Sequence, residues 1–106
     1  MADDSRSSPQ TFLLDPLAAT LTGAAAATTV TLTPSGGRPV AFFRVKRLAS
    51  STGNIRWGLS TSTVDASNGY LLTSADYDSG WIPAQNAALK LYAVTSNADY
   101  EIMRLG

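Results

Sequence analysis

Apolar and polar residues alternate in several segments of the chain after residue 27, with the two-residue period of a β-strand that has one buried face. The segments with this period are residues 28–33, 40–48, 54–59 and 87–94, and a closing strand is expected at residues 99–105, where both faces carry apolar residues and coverage by the domain or by a partner chain is expected. Two shorter strands are expected at residues 70–72 and 81–83, the second at a sheet edge because Pro83 cannot donate to a ladder. Clusters of Gly, Pro, Asn, Asp and Ser separate the segments at the close spacing typical of sandwiches and small barrels.

The fold predicted from this pattern is an all-β, jelly-roll-like antiparallel β-sandwich or small barrel formed by residues 28–106. Residues 1–27 differ, because a polar tip is followed by an Ala-rich tract without large apolar side chains at helical spacing. Asp15 and Pro16 suit the cap and the first position of a helix, so at most one helical turn is expected there. Residues 1–27 are therefore predicted to form an extended N-terminal arm.

Basic residues concentrate on two of the predicted strands. A tight turn at residues 51–54 is expected to join these strands as a hairpin, and several of the four basic residues Arg44, Lys46, Arg47 and Arg56 would then meet on one solvent-facing surface. A cross-strand basic cluster can hold phosphates or face an acidic partner. Long cationic side chains also protect exposed sheets from edge-to-edge aggregation, and this second interpretation carries equal weight.

Three carboxylates, Asp65, Asp76 and Asp78, lie in the polar segment 60–80. Paired carboxylates can perform acid–base chemistry, and loop carboxylates are usual calcium ligands. Their spacing matches neither kind of motif, whereas Asp in a loop rich in Ser, Asn and Gly commonly caps turns. Turn capping is the preferred interpretation, with calcium binding second. Asp76 or Asp78 of one subunit is also a candidate partner for the basic cluster of its neighbour.

Four aromatic residues are candidates for contact roles. Trp57 alternates with apolar neighbours on its strand, which predicts a position in the core. Trp81 and Tyr77 lie in loop context, where a contact role and a structural role are equally supported. Together with Tyr70 they could instead serve as stacking platforms for sugars.

The amino-acid composition limits the kinds of catalytic and metal-binding sites that this chain can form. A chain of 106 residues with 44% hydrophobic and 15% charged residues is expected to fold as one domain. Eight Lys plus Arg balance eight Asp plus Glu, so no net field attracts nucleic acid or an acidic membrane. The absence of Cys and His excludes disulfides, thiolate nucleophiles, imidazole bases and ordinary zinc sites. We therefore expect no enzymatic activity, no cofactor and no metal.

The order of elements from residue 40 onwards forms a recognisable series. The series begins with a basic strand, a polar turn and the motif Ile55-x-Trp57-Gly58. It continues with a Thr-rich loop ending in Asn68-Gly69, then Gly80-Trp81-Ile82-Pro83, then Leu91-Tyr92-Ala93-Val94-Thr95 and a closing strand. This order resembles the small all-β virion proteins of tailed bacteriophages that are described as structural, decoration or cement proteins. The resemblance covers about the last two thirds of the chain and brings no catalytic residue with it.

The resemblance implies a capsid decoration or cement subunit that stabilises the lattice of the major capsid protein as a homo-oligomer, with a trimer expected. It implies a place on the capsid surface of the virion after synthesis in the bacterial cytoplasm. The arm, roughly 80 Å long when extended, is expected to become ordered only in the assembly. The candidate residues for contacts with the capsid or with sister subunits are Phe12, Leu13, Leu14, Leu17, Arg44, Lys46, Arg56, Tyr77 and Trp81.

Two alternatives remain open at this level. One is a carbohydrate-binding or adhesive module of a phage tail component, with Trp81, Tyr77 and Tyr70 as platforms. The other is a head-to-tail connecting or tail subunit, which would form rings of a different symmetry.

Overall fold

The computed structural model describes residues 13–33, 39–84 and 88–106. The strands in chain order are β1 (Leu17–Leu21), β2 (Thr28–Thr31), β3 (Phe42–Arg47), β4 (Asn54–Leu59), β5 (Tyr70–Leu72), β6 (Ile82–Pro83), β7 (Ala88–Val94) and β8 (Ala98–Leu105). These elements confirm the predicted all-β class. None of the described ranges contains a helix that is long and apolar enough to cross a membrane.

The eight strands form two antiparallel sheets of four strands each. The first sheet has the order β1-β8-β3-β6 and the second has the order β2-β7-β4-β5. The first strand pairs with the last, β2 with β7, β3 with β6, and β4 with β5. This nested pairing is that of one long hairpin rolled up over two sheets, and it leaves β8, β3, β7 and β4 as the central strands.

The core lies between the two sheets and follows the predicted alternation. In β3, Phe43 and Val45 point inward and are almost completely buried, while Arg44 between them faces outward. Phe43 of the first sheet meets Trp57 of the second edge to face, with ring centroids 5.6 Å apart. This contact confirms the sandwich and the predicted core position of Trp57, because side chains from both inner faces interdigitate there.

The connection between β3 and β4 is not a hairpin, so the prediction of a tight hairpin was wrong. The two strands belong to different sheets, and residues 51–53 carry the chain across the end of the sandwich. The N–H of Gly53 donates to the carbonyl of Asn97 over 2.8 Å, and its own carbonyl accepts from Nε of Arg47 over 2.8 Å. The alternation indicated which residues of β3 are buried, but contacts of the connection with distant segments, such as the turn between β7 and β8, decide which strands are neighbours.

Residues 13–21 run along the edge of the first sheet. β1 pairs with β8 from Leu17 opposite Ile102 to Leu21 opposite Ala98. The helical turn expected after Asp15 does not form, because the edge of β8 offers the backbone of this segment a row of hydrogen-bond partners. The extended arm is thus not confirmed for the described residues. Residues 1–12 lie outside the described ranges.

Two arginines are buried at opposite ends of the first sheet. Arg47 donates to the carbonyls of Gly53 and Ser51. Arg104 donates to the carbonyl of Leu32 over 2.6 Å and to that of Asp15 over 2.7 Å. Buried guanidinium groups need such partners, since an unpaired charge in the interior is costly. Each arginine therefore holds segments outside the strands against the sheet through hydrogen bonds to their backbone carbonyls.

Candidate interaction surface

The outer face of the first sheet carries a row of apolar side chains at one end. Leu13, Leu105, Phe42 and Pro83 lie opposite one another across the sheet. Leu13 is 65% exposed and Phe42 is 39% exposed. Single exposed apolar residues are ordinary, whereas a contiguous apolar patch marks an interaction surface. We call these four residues the apolar row.

The next row of the same face combines an aromatic ring with a neutralised cation. Arg44 lies opposite Met103, and its guanidinium is placed over the ring of Trp81 with Cζ 5.7 Å from the ring centroid. Nε of Arg44 donates to the two carboxylate oxygens of Asp78 over 2.8 and 2.9 Å. Trp81, which is 40% exposed, thus extends the apolar row while the charge beside it is already paired.

The Arg44–Asp78 pair determines the electrostatics of this row. The hydrogen bonds from Arg44 hold the pKa of the Asp78 carboxyl below its usual value, and the backbone N–H of Gly80 assists. The same bonds raise the pKa of the Arg44 guanidinium. Arg44 is therefore paired with a carboxylate of its own chain. The sequence had suggested Asp76 or Asp78 of a neighbouring subunit as its partner.

We expect Asp78→Asn to lower the free energy of unfolding by about 1 kcal/mol at pH 7. Because the native pKa is depressed below the unfolded value of about 3.9, the stabilisation is fully present above that value and disappears as the pH falls through the native pKa. Urea unfolding at pH 7 and at pH 3 measures this difference. Asp76→Asn is the control, and a deficit of Asp78→Asn that stays constant with pH would refute the ion pair.

The other end of the same face is polar. Lys46 lies opposite Glu101. The hydroxyls of Thr20 and Ser50 donate to the carboxylate of Asp99, which lowers the pKa of this carboxyl. The outer face of the first sheet is thus divided into an apolar end and a polar end.

Arg56 lies on the opposite side of the molecule. Its guanidinium donates to the carbonyls of Ala66 over 3.1 Å and of Gly69 over 2.9 Å, which fastens the loop before β5. The predicted cluster of Arg44, Lys46, Arg47 and Arg56 is therefore wrong, because Arg47 is buried and because β3 and β4 belong to different sheets whose outer faces point apart. Only Arg44 and Lys46 share a face.

The remaining contact candidates have different surroundings. Leu14 and Leu17 pack partly against the core, whereas Leu13 points outward. Tyr77 is 50% exposed and lines a hollow of about 410 Å³ together with Lys46. Phe12 lies outside the described residues. Phe42 and Leu105 were not among the predicted contact residues, because the sequence pattern does not show which residues of other strands lie beside them.

Asp65, the first of the three carboxylates in the segment 60–80, caps a turn of its own loop. Oδ1 of Asp65 accepts from the backbone N–H groups of Ser67 and Asn68 and from the Asn68 amide, all over 2.9 Å. These bonds lower the pKa of Asp65 and confirm the preferred interpretation of turn capping. Among the described residues, no three His, Cys, Asp or Glu side chains lie close enough together to hold a metal ion.

A groove of about 610 Å³ opens between β5 and β6, at the edge where the two sheets end. Tyr70, Leu71, Asp76 and Pro83 are among its lining residues. We call it the edge groove. Tyr70 lines it, but the structure gathers neither Tyr77 nor Trp81 there, so the three suggested sugar platforms do not form one described site.

The described part of the chain thus offers two surfaces of distinct chemistry. The apolar row is flat and flanked by a neutralised arginine, and the edge groove is concave and lined by rings and carboxylates. Comparison of the chain with protein-family models, with curated proteins and with solved structures finds no match in any of the three.

Proposed function

We propose that this protein is a non-enzymatic virion structural subunit of a tailed bacteriophage. In this proposal it is a capsid decoration or cement protein that binds the lattice of the major capsid protein as a homo-oligomer, with a trimer expected. The observation that carries the proposal is the apolar row, which exposes Leu13 and Phe42 on the outer face of a regular sheet. An apolar surface of this kind is stabilised when another protein covers it.

The strand pairing of the sandwich makes the apolar row a rigid surface, which suits a permanent contact with another protein. The apolar row is held by backbone pairing across the first sheet, and β3 and β8 are central strands paired on both sides. A rigid surface loses little conformational entropy on association. The nested strand order also fits the jelly-roll-like architecture expected for the proposed class.

The apolar row is small compared with a stable two-protein interface, which buries about 800 Å² per partner. A single copy is therefore expected to bind weakly. Several linked copies on a repeating lattice bind more tightly, because each attachment raises the effective concentration of the next. A homo-oligomer attached at symmetric positions is the arrangement that uses a small contact in this way.

The test combines oligomeric state with binding to capsids that lack this protein. We expect Phe42→Asp to weaken capsid binding or oligomer formation at least about tenfold, because a carboxylate would be desolvated in the contact. Thr29→Asp is the matched control, since Thr29 is exposed on the second sheet opposite Lys90. Light scattering and co-sedimentation with capsids are the measurements.

Three outcomes would reject or redirect the proposal. A monomeric protein that also fails to bind capsids would reject it. Equal binding by Phe42→Asp and the wild type would exclude the apolar row as the contact surface. Rings of another symmetry in electron micrographs would favour a head-to-tail connecting or tail subunit instead.

A further inference from the structure

The charged side chains of the described residues that line the edge groove are all acidic. The walls of the groove are mainly apolar and include Leu71, Ile82 and Pro83. The charged groups among its described lining residues are the carboxylates of Asp76 and Asp78, and none of these residues is Lys or Arg. The groove therefore suits a ligand that combines apolar parts with positive charge, and it disfavours anions.

A stack of aromatic rings leads from the core to the mouth of the edge groove. Phe43 packs edge to face on Trp57, and Trp57 packs on Tyr70 with ring centroids 5.0 Å apart. Tyr70 is 69% exposed although Trp57 behind it is buried. The buried tryptophan supports the Tyr70 ring from behind, and Tyr70 lines the groove with an aromatic surface that is mostly open to a ligand. The face of such a ring attracts cations.

The two carboxylates of the groove differ in whether a cation of the described chain is already bound to them. Asp78 is already bound by Arg44. Asp76 is held through its backbone, because its N–H donates to Oγ1 of Thr73 and its carbonyl accepts from the N–H of Thr73 over 2.9 Å. No hydrogen bond to the Asp76 carboxylate forms among the described residues. Asp76 thus lines the same groove as Tyr70 with a carboxylate that no described hydrogen bond engages.

The same chain shows how such a pair of groups holds a cation. The guanidinium of Arg44 lies between the carboxylate of Asp78 and the ring of Trp81. Asp76 and Tyr70 present the same two chemical partners at the edge groove, and there no cation of the described chain occupies them. A guanidinium or an ammonium group from another molecule would complete the arrangement.

The strands beside the edge groove suggest how that group is presented. β6 is the last strand of its sheet and ends in Pro83, which has no N–H to donate to a further strand. β5, the last strand of the other sheet, has three residues and leaves one edge without a neighbouring strand in the described chain. An extended segment can lie beside such an edge and place alternate side chains into a groove. We propose that the edge groove binds a lysine or arginine side chain carried by an extended segment of a partner chain. This site shares Pro83 with the apolar row, but the groups that would recognise the cation, Asp76 and Tyr70, lie outside the row, so the site can fail while the proposed function stands.

The experiment uses Trp57 as the reporter. The chain has two tryptophans, and Trp81→Phe leaves Trp57, which lines the groove, as the sole source of tryptophan emission. The probe is the peptide acetyl-Thr-Val-Arg-Val-Thr-amide, and its match is the same peptide with Gln in place of Arg. We expect a saturable emission change with the Arg peptide, an affinity at least about fivefold lower for the Gln peptide, and weakening by salt.

Two variants locate the site. Asp76→Asn is expected to reduce the affinity for the Arg peptide about fivefold without loss of stability, because it removes a charge but no described hydrogen bond. Tyr77→Ala is the control, since Tyr77 is an exposed tyrosine outside the groove, and it is expected to bind like the parent.

Each contrary result overturns the proposal. Equal affinity for the Gln peptide would show that no cation is recognised, and no response to either peptide would show that the groove is not a peptide site. Cellobiose is the third ligand tested. Saturable binding of cellobiose that is lost in Tyr70→Ala, without binding of the Arg peptide, would identify a saccharide site instead.

Discussion

Phe43→Ala is expected to lower the free energy of unfolding by about 3–5 kcal/mol. Phe43 is 1% exposed and packs against Trp57 from the opposite sheet, so the substitution removes a contact between the two inner faces and leaves a cavity that the central strands cannot close. Urea unfolding followed by tryptophan fluorescence and by circular dichroism measures the loss. The affected strand is central, so the whole sandwich should unfold at the lower urea concentration.

Phe42→Ala is the matched control, because it removes the same side chain one residue earlier. Phe42 is 39% exposed in the apolar row, and we expect its loss to cost less than about 1 kcal/mol. Its effect should appear in assembly instead of in stability. A larger loss for Phe42→Ala than for Phe43→Ala would mean that β3 is placed one residue out of register, since such a shift exchanges the two faces of a strand.

Gly53→Ala is expected to destabilise the protein by about 3 kcal/mol. A Cβ at this position would lie 2.0 Å from the carbonyl oxygen of Ser96 and 2.8 Å from its carbonyl carbon. Both are backbone atoms, so the two connections at this end of the sandwich must separate. That movement would also strain the bonds from Thr52 and Gly53 to the carbonyl of Asn97.

Gly80→Ala separates crowding from backbone conformation. Gly80 has a φ of 72°, and no heavy atom lies within 4 Å of a Cβ built there. The substitution should cost about 1 kcal/mol through left-handed backbone strain alone. Thermal unfolding of both variants gives the comparison. A loss in Gly53→Ala no larger than that in Gly80→Ala would contradict the close approach of the two connections.

Several local features could be predicted before the structure because they depend on short stretches of chain. Alternation identified the buried side of β3 and the core position of Trp57. The polar surroundings of Asp65 indicated turn capping, which its bonds to Ser67 and Asn68 confirm. The edge position of β6 followed from Pro83, which has no N–H to donate to a further strand.

The predictions that failed concerned neighbours in space. The turn between β3 and β4 has the composition of a hairpin, but it crosses between sheets, and this moves Arg56 away from Arg44. The Ala-rich segment has no strong local preference, so its pairing with β8 depended on an edge formed by the last strand of the chain. Propensity is weak in such a segment, and tertiary contacts decide its conformation.

The two candidate surfaces, the apolar row and the edge groove, also depend on residues that become neighbours only in the folded chain. The apolar row brings together Leu13, Phe42, Pro83 and Leu105, which are far apart along the chain. Arg44 and Asp78 are 34 positions apart, yet their pairing leaves the row beside them without a free cation. The edge groove likewise needs the ends of both sheets to meet.

From the order of amino acids alone follow the all-β class, the positions of most strands, the core position of Trp57 and the exclusion of Cys and His chemistry. These properties arise within a few residues, because a two-residue period and turn residues act locally. Strand partners, the crossing after β3, the buried arginines, the apolar row and the edge groove emerged only in the folded chain. They depend on backbone hydrogen bonds and packing between distant segments, and the energies of these contacts are not encoded in any short stretch.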